Sequence, residues 1–252
     1  LEGLQHIEGR TFRWKGKYGC DLNDAETLET NLNVLADFQP SIPESYQSDD
    51  YVFLGNIDPS LQKDVIAQVR NPKLVACDTM NYWISADFET LLETLRHVDI
   101  LIINDAEMRQ LTQESNLVKG ARKVHMWGPR TLVIKRGEYG VLMFQRERES
   151  AEDKQDISVF GAPAYPLEEV FDPTGAGDSF AGGFLGYLAG IDRFDPPAIR
   201  QAIVFGSVMA SFNVEKFSLG RLKELTHAEI LLRYRQFKGM THFENKETLN
   251  AD

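Results

Sequence analysis

The 252 residues, 42% of them hydrophobic and 26% charged, supply enough apolar material for one large core with a small appendage. With 38 acidic against 27 basic side chains the formal charge is −11, which leaves no basic footprint for a nucleic-acid backbone. No apolar run reaches the ~18 residues of a membrane span and the first residues show no secretory-leader pattern, so neither nucleic acid nor membrane is expected as a partner and a cytoplasmic location is expected. Cys20 and Cys77 stand far apart, outside any CxxC pattern, and read as two reduced, mostly buried thiols.

The chain opens on Leu1-Glu2-Gly3-Leu4 without a starting Met or an apolar strand, and reads as one already under way. Thr11-Phe12-Arg13-Trp14-Lys15 alternates polar and aromatic residues, the period of a half-buried strand. Its aromatic face suits a small β appendage covering the main domain, a substrate or a partner subunit. Residues 1–40 are therefore assigned to lid strands and the start of the main domain, 41–240 to an α/β domain and 241–252 to a polar tail.

From residue 51 onward, short β-rich runs alternate with stretches of helical period, the pattern of βαβ units in a mostly parallel sheet. Strands are predicted at Tyr51–Leu54, Leu74–Cys77, 99–104, Thr131–Lys135 and 141–145. Leu61, Val65, Ile66 and Val69 mark one helix face; Phe88, Leu91, Leu92 and Leu95 mark another. Residues 147–156 read as a charged surface loop. Helices are predicted at 179–189, 197–212 and 221–237, packing on the sheet, with Gly182, Gly183, Gly186 and Gly190 letting the first of them approach a neighbour closely.

The chemistry concentrates in Asp172-Pro173-Thr174-Gly175-Ala176-Gly177-Asp178, immediately before a helical pattern. Small residues at a helix N-terminus turn unpaired backbone N–H groups and the positive end of the helix dipole toward one point, an anion site formed by Gly175, Ala176 and Gly177. A carboxylate at Asp178 opposes that anion unless it accepts the proton of an attacking hydroxyl while the N–H groups hold the transferring phosphoryl group. The alternative is an N-cap role for Asp178. The P-loop pattern GxxxxGK[ST] is absent, and Gly175-Ala176-Gly177-Asp178-Ser179-Phe180 fails the dinucleotide pattern GxGxxG at its last position.

Together with the following Phe180-Ala181-Gly182-Gly183-Phe184, this stretch resembles the C-terminal signature of the PfkB or ribokinase-like carbohydrate kinase family. Two further matches fall in order upstream. Asn104-Asp105-Ala106-Glu107 resembles the family's NxxE motif, and Lys135-Arg136-Gly137-Glu138-Tyr139-Gly140 resembles its KxGxxG turn beside the nucleotide. The resemblance implies a ribokinase-like three-layer α/β/α fold with a mostly parallel sheet and a small β lid. It implies ATP and Mg²⁺ as cofactors, with a monovalent cation as a further candidate, Asp178 as catalytic base, and Glu107 as a magnesium ligand, directly or through water. Asn104, Lys135, Gly137 and Gly140 become nucleotide-binding candidates. A hairpin turn with an incidental lysine is the plain reading of the last three.

Family members usually begin with a sheet-core strand, an acidic acceptor-binding residue and a Gly-Gly motif. No counterpart precedes Gly9, so the acceptor-binding residues are unassigned and the chain as it stands is expected to keep ATP contacts but catalyse poorly. The leading function is an ATP-dependent phosphotransferase acting on a hydroxyl of a small sugar-like substrate. A nucleoside kinase with aromatic stacking at Tyr82 or Trp83 is the alternative, and a kinase-like binding or regulatory protein without catalysis is the rival from another class. Asp78 sits at a further sheet edge near the expected cleft. A homodimer through the lid is a family-level expectation resting on Phe12 and Trp14. The five histidines share no spacing with acids or cysteines and read as surface or packing residues.

Overall fold

A computed structural model describes residues 2–19, 22, 25–147 and 157–242. Cys20, the charged loop beyond Glu147 and the tail beyond His242 lie outside the described residues. The chain forms two compact units, Leu1–Gly161 and Ala162–Asp252. No described helix is long and apolar enough to cross a membrane.

The first unit opens with an antiparallel hairpin of β1 (Arg13–Tyr18) and β2 (Ala25–Asn31). The strand begins two residues into the expected alternation, leaving Phe12 ahead of it and 42% exposed. The Trp14 ring folds over Gly16, where a Cβ would enter the ring, and its indole N–H donates to Thr27 Oγ1 at 3.2 Å. That aromatic therefore packs within its own hairpin. The second strand, Ala-Glu-Thr-Leu-Glu-Thr-Asn, has no apolar face and gives no periodic signal.

A six-stranded sheet follows in the order β3 (Tyr51–Leu54), β4 (Leu74–Cys77), β5 (Ile100–Asn104), β6 (Thr131–Lys135), β7 (Val141–Arg146) and β8 (Ile157–Ala162). Strands β3 to β6 run parallel, and β7 returns antiparallel to β6. Between them lie α1 (Pro59–Gln68), α2 (Asn81–Ala86), α3 (Phe88–Leu95), α4 (Asp105–Thr112) and α5 (Leu117–Trp127). The run Ile100 to Ile103 is buried at every position, as expected of a strand covered on both faces. Leu91 and Leu95 of α3, Val124 of α5 and Leu101, Ile103, Leu132 and Ile134 of the sheet form the core, with Phe88 and Leu92 packed against it.

In α1, Val65 and Ile66 pack on that core as the spacing predicts, but the deeply buried side chain is Gln62, 1% exposed. Its amide donates to Gly55 O at 2.7 Å and Asp78 O at 3.0 Å, while its Oε1 lies 3.6 Å from the Cys77 thiol. Gln62 thus ties the turn after β3 to the turn after β4. Cys77 is a free, fully buried thiol whose pKa burial raises.

His125 is the one packing histidine; His6, His97, His227 and His242 are exposed. Its Nδ1 donates to Pro129 O at 2.8 Å, and its buried Nε2 has no partner among the described residues. Burial depresses its pKa below the ordinary 6.5, outweighing the bond to Pro129, which favours the cation. As pH falls, the unfolded chain takes up this proton first. The stability contributed by neutral His125 is complete above the ordinary value and is lost as pH falls toward the depressed one. Thermal unfolding midpoints measured from about pH 7 down to about pH 5 should fall, and His125→Gln should flatten part of that slope.

The second unit contains α6 (Ala176–Ile191), α7 (Pro196–Asn213) and α8 (His227–Thr241). Helices α6 and α7 approach through Gly183, where a Cβ would stand 2.6 Å from Met209 Cγ, and Gly206, where it would stand 2.8 Å from Phe180 O. Gly182, Gly186 and Gly190 meet nothing within 4 Å. Of the four glycines expected at a close helix contact, Gly183 serves it, and a Cβ on any of the other three would meet open space. The helix predicted from residue 221 is broken: Leu222–Glu224 forms a 3₁₀ turn, and α8 starts at a capping box in which Thr226 and Glu229 bond each other's backbone N–H. Arg233 stacks on Phe212, 3.5 Å from the ring centroid, and pairs with Glu215 at 2.6 Å.

Candidate active site

In the second unit, Gly175 is the N-cap of α6 in the left-handed conformation, φ +81°. Ala176 and Gly177 are the first two helical residues and Asp178 the third. Asp178 is therefore not an N-cap. Its side chain is exposed in the first turn, and no side-chain capping bond occurs at this helix start. The Ala176 N–H donates to Pro173 O at 3.2 Å and the Ser179 N–H to Gly175 O at 2.9 Å. Helix geometry gives the N–H groups of Gly177 and Asp178 no intrahelical acceptor.

Two side chains fix this loop. Asp172 accepts from Thr174 N at 3.0 Å and Ser218 N at 3.1 Å. Desolvation works against its charged form, but these backbone bonds outweigh it and hold the carboxyl below its usual range. Asn213, the last residue of α7 and 2% exposed, donates to Thr174 O at 2.8 Å and accepts from Ser179 Oγ at 3.0 Å. A Cβ on Gly175 would lie 3.6 Å from the same Asn213 side chain. Sequence reasoning misses Asn213; the available signal is a lone amide ending an apolar helix, and its loop partners lie far upstream.

In the first unit, the C-terminal edge of the parallel strands carries Asp78 after β4, Asn104 at the end of β5 and Lys135 at the end of β6. Asn104 and Lys135 are register partners. Asn104-x-x-Glu107 forms a reciprocal capping box: Asn104 Oδ1 accepts from Glu107 N and Glu107 Oε2 accepts from Asn104 N, both at 2.7 Å. Local helix chemistry accounts for Asn104 Oδ1 and for one of the two carboxylate oxygens. Gly137 and Gly140 both have positive φ, +52° and +84°, in the tight turn from β6 into β7. Lys135 Nζ lies 3.5 Å from Asp78 Oδ2.

Among the described residues no three His, Cys, Asp or Glu side chains assemble a metal cage. Glu107, a carboxylate in the first turn of α4, is the kind of oxygen donor Mg²⁺ takes alongside water and substrate phosphates. A cleft of about 430 Å³ in the same unit is lined by Leu35, Phe38, Asp58, Leu61, Asp64 and Trp83. The Trp83 ring meets Tyr82 edge-on at 4.7 Å, and Tyr82 is 57% exposed.

A family model described as the pfkB family carbohydrate kinase matches residues 17–224. The chain is 30% identical over 196 residues to the cytidine kinase of Thermococcus kodakarensis, covering 75% of this chain and 66% of that protein. It is 26% identical over 167 residues to the nucleoside kinase of Methanocaldococcus jannaschii, covering 66% of this chain and 49% of that protein. The crystal structure of that nucleoside kinase, an archaeal member of the ribokinase family, matches with a TM-score of 0.66 at 21% identity, over 91% of this chain and 70% of that one. The fold is thus the ribokinase α/β fold expected from the motifs, and the chain belongs to the PfkB family of carbohydrate kinases. It spans less than two thirds of the length of either curated relative.

Proposed function

We propose that this protein is an ATP-dependent kinase that phosphorylates a hydroxyl of a small sugar-bearing molecule. The reading rests on Asp178, an exposed carboxylate in the first turn of α6 that directly follows the Gly175-Ala176-Gly177 helix start. Asp178 accepts the proton of the acceptor hydroxyl as its oxygen attacks the γ-phosphorus and the bond to the ADP oxygen breaks. The N–H groups of Gly175, Ala176 and Gly177, with the dipole of α6 behind them, stabilise the phosphoryl charge; the Ala176 amide exchanges Pro173 O for phosphate.

In the first unit, Lys135 offers its ammonium to the nucleotide phosphates and Gly137 and Gly140 shape the turn beside them. Asn104 keeps its amide NH₂ for water or phosphate, its Oδ1 being bonded to Glu107 N. Glu107 holds Mg²⁺ directly or through water, a role compatible with one carboxylate oxygen capping α4. Bound Mg²⁺ supplies neutralisation of phosphate charge.

Two observations favour a nucleoside acceptor: the cytidine and nucleoside kinases among the relatives, and Trp83 in the wall of the 430 Å³ cleft, where a base can stack. A panel of pentoses, hexoses, purine nucleosides and pyrimidine nucleosides assayed with ATP and Mg²⁺ is expected to give ADP release with nucleosides ahead of free sugars. ATP binding without turnover on any acceptor would support a non-catalytic kinase-like protein instead.

A further inference from the structure

Lys135 and Asp78 form an ion pair whose two side chains are only 19% and 10% exposed. Strands β4 and β6 flank β5, so the pair spans the end of β5, where Asn104 caps α4. Withdrawing two charges from water is costly and is offset only by tight geometry. The 3.5 Å separation is long against the ~2.7–2.9 Å of a charge-assisted bond. An ammonium has three donors, and a single oxygen at that distance engages at most one.

The two partners are held differently. Asp78 is fixed through its backbone and its carboxylate: Gln62 Nε2 donates to its carbonyl at 3.0 Å, and Thr79 N donates to its Oδ1 at 2.8 Å. Lys135 reaches it on a flexible four-carbon stem. Next to Asp78, the Thr79 hydroxyl is buried with no hydrogen-bond partner among the described residues. The anchored carboxylate and the loosely held ammonium differ from a pair tuned only for stability.

We propose that Asp78 is a positioning residue that sets nucleotide affinity through Lys135. It holds the ammonium at the sheet edge without nucleotide, releases it to a phosphate oxygen when nucleotide binds, and competes to regain it as ADP leaves. This rests on the kinase reading above. It adds a counter-charge that keeps product binding from becoming too tight.

The test is a double-mutant cycle on the full chain, measuring ADP affinity by calorimetry for wild type, Asp78→Asn, Lys135→Met and the double variant. The double variant removes both buried charges together and is expected to fold. Asp78→Asn is expected to tighten ADP binding roughly three- to tenfold in the wild-type background and to leave it unchanged in the Lys135→Met background. Equal tightening in both backgrounds would reduce Asp78 to a general field and overturn the proposal. So would unchanged or weaker binding in Asp78→Asn, the result of a purely structural pair. Wild-type protein that binds no ADP would defeat the kinase reading itself. Should Asp78→Asn fail to fold, a crystal structure of wild type with ADP decides: Lys135 Nζ is expected on a phosphate oxygen and away from Asp78, and an ammonium still on Asp78 without phosphate contact overturns the proposal.

Discussion

Asp178→Asn is expected to lower turnover by about 100- to 10,000-fold, the range a positioned general base contributes. The change is nearly isosteric at the third position of α6, and no side-chain capping bond occurs at that helix start. The unfolding midpoint should therefore move little. Loss of a carboxylate beside the proposed phosphate site should leave ADP affinity intact or raise it, so the defect belongs in kcat. Steady-state kinetics with the best acceptor from the panel, alongside ADP calorimetry, separates the two parameters. Undiminished turnover removes Asp178 from the base role, whereas a parallel loss of nucleotide binding makes it a structural residue of the loop.

Asn213→Ala is expected to impair both stability and turnover without touching a reacting atom. The wild-type amide satisfies the Thr174 carbonyl and the Ser179 hydroxyl at once. Truncation leaves both without that partner in a site where Asn213 itself is 2% exposed. Both bonds are part-buried, so each costs about 0.5–1.5 kcal/mol when lost, and a few degrees of unfolding midpoint should be lost. Thr174 immediately precedes the left-handed Gly175, and a loosened loop would no longer hold the N–H groups proposed to bind phosphate in one geometry, which is expected to cost roughly tenfold or more in turnover. Asn213→Asp is the sharper variant, since it sets a second acceptor against Thr174 O and should be worse than alanine. Full activity in both variants would detach Asn213 from the loop's function.

The sheet was legible because its strands are written in continuous apolar runs: Leu74 to Cys77 and Ile100 to Ile103 are buried throughout and match their predicted positions closely. The hairpin was half legible. Trp14 gives β1 its period, while β2 is held by backbone pairing and has no apolar stripe to read. The glycines of α6 misled because a stretch rich in one small residue does not say which position meets a neighbour; Gly183 does, and Gly182, Gly186 and Gly190 do not.

At the candidate site the motifs announced their positions but not their local work. Asn104-x-x-Glu107 is a capping box as well as a match to the family's NxxE pattern, and Gly137 and Gly140 meet the dihedral demands of a hairpin turn. Gln62 and Asn213, each bracing turns or a loop within its own unit, were invisible. A buried amide is selected by carbonyls and hydroxyls far away in sequence, and nothing in its neighbours spells out that geometry.

Position 62 illustrates what such bracing demands of a sequence. Toward the turns it must offer N–H donors to carbonyl oxygens, and toward Cys77 it must offer an acceptor to a thiol. Glutamate would turn a carboxylate oxygen toward carbonyls, and leucine would strand them. The choice of residue in the middle of α1 is thus dictated by the two turns it ties, and a change of that one side chain would reach Asp78 through the backbone without altering any residue named in the chemistry.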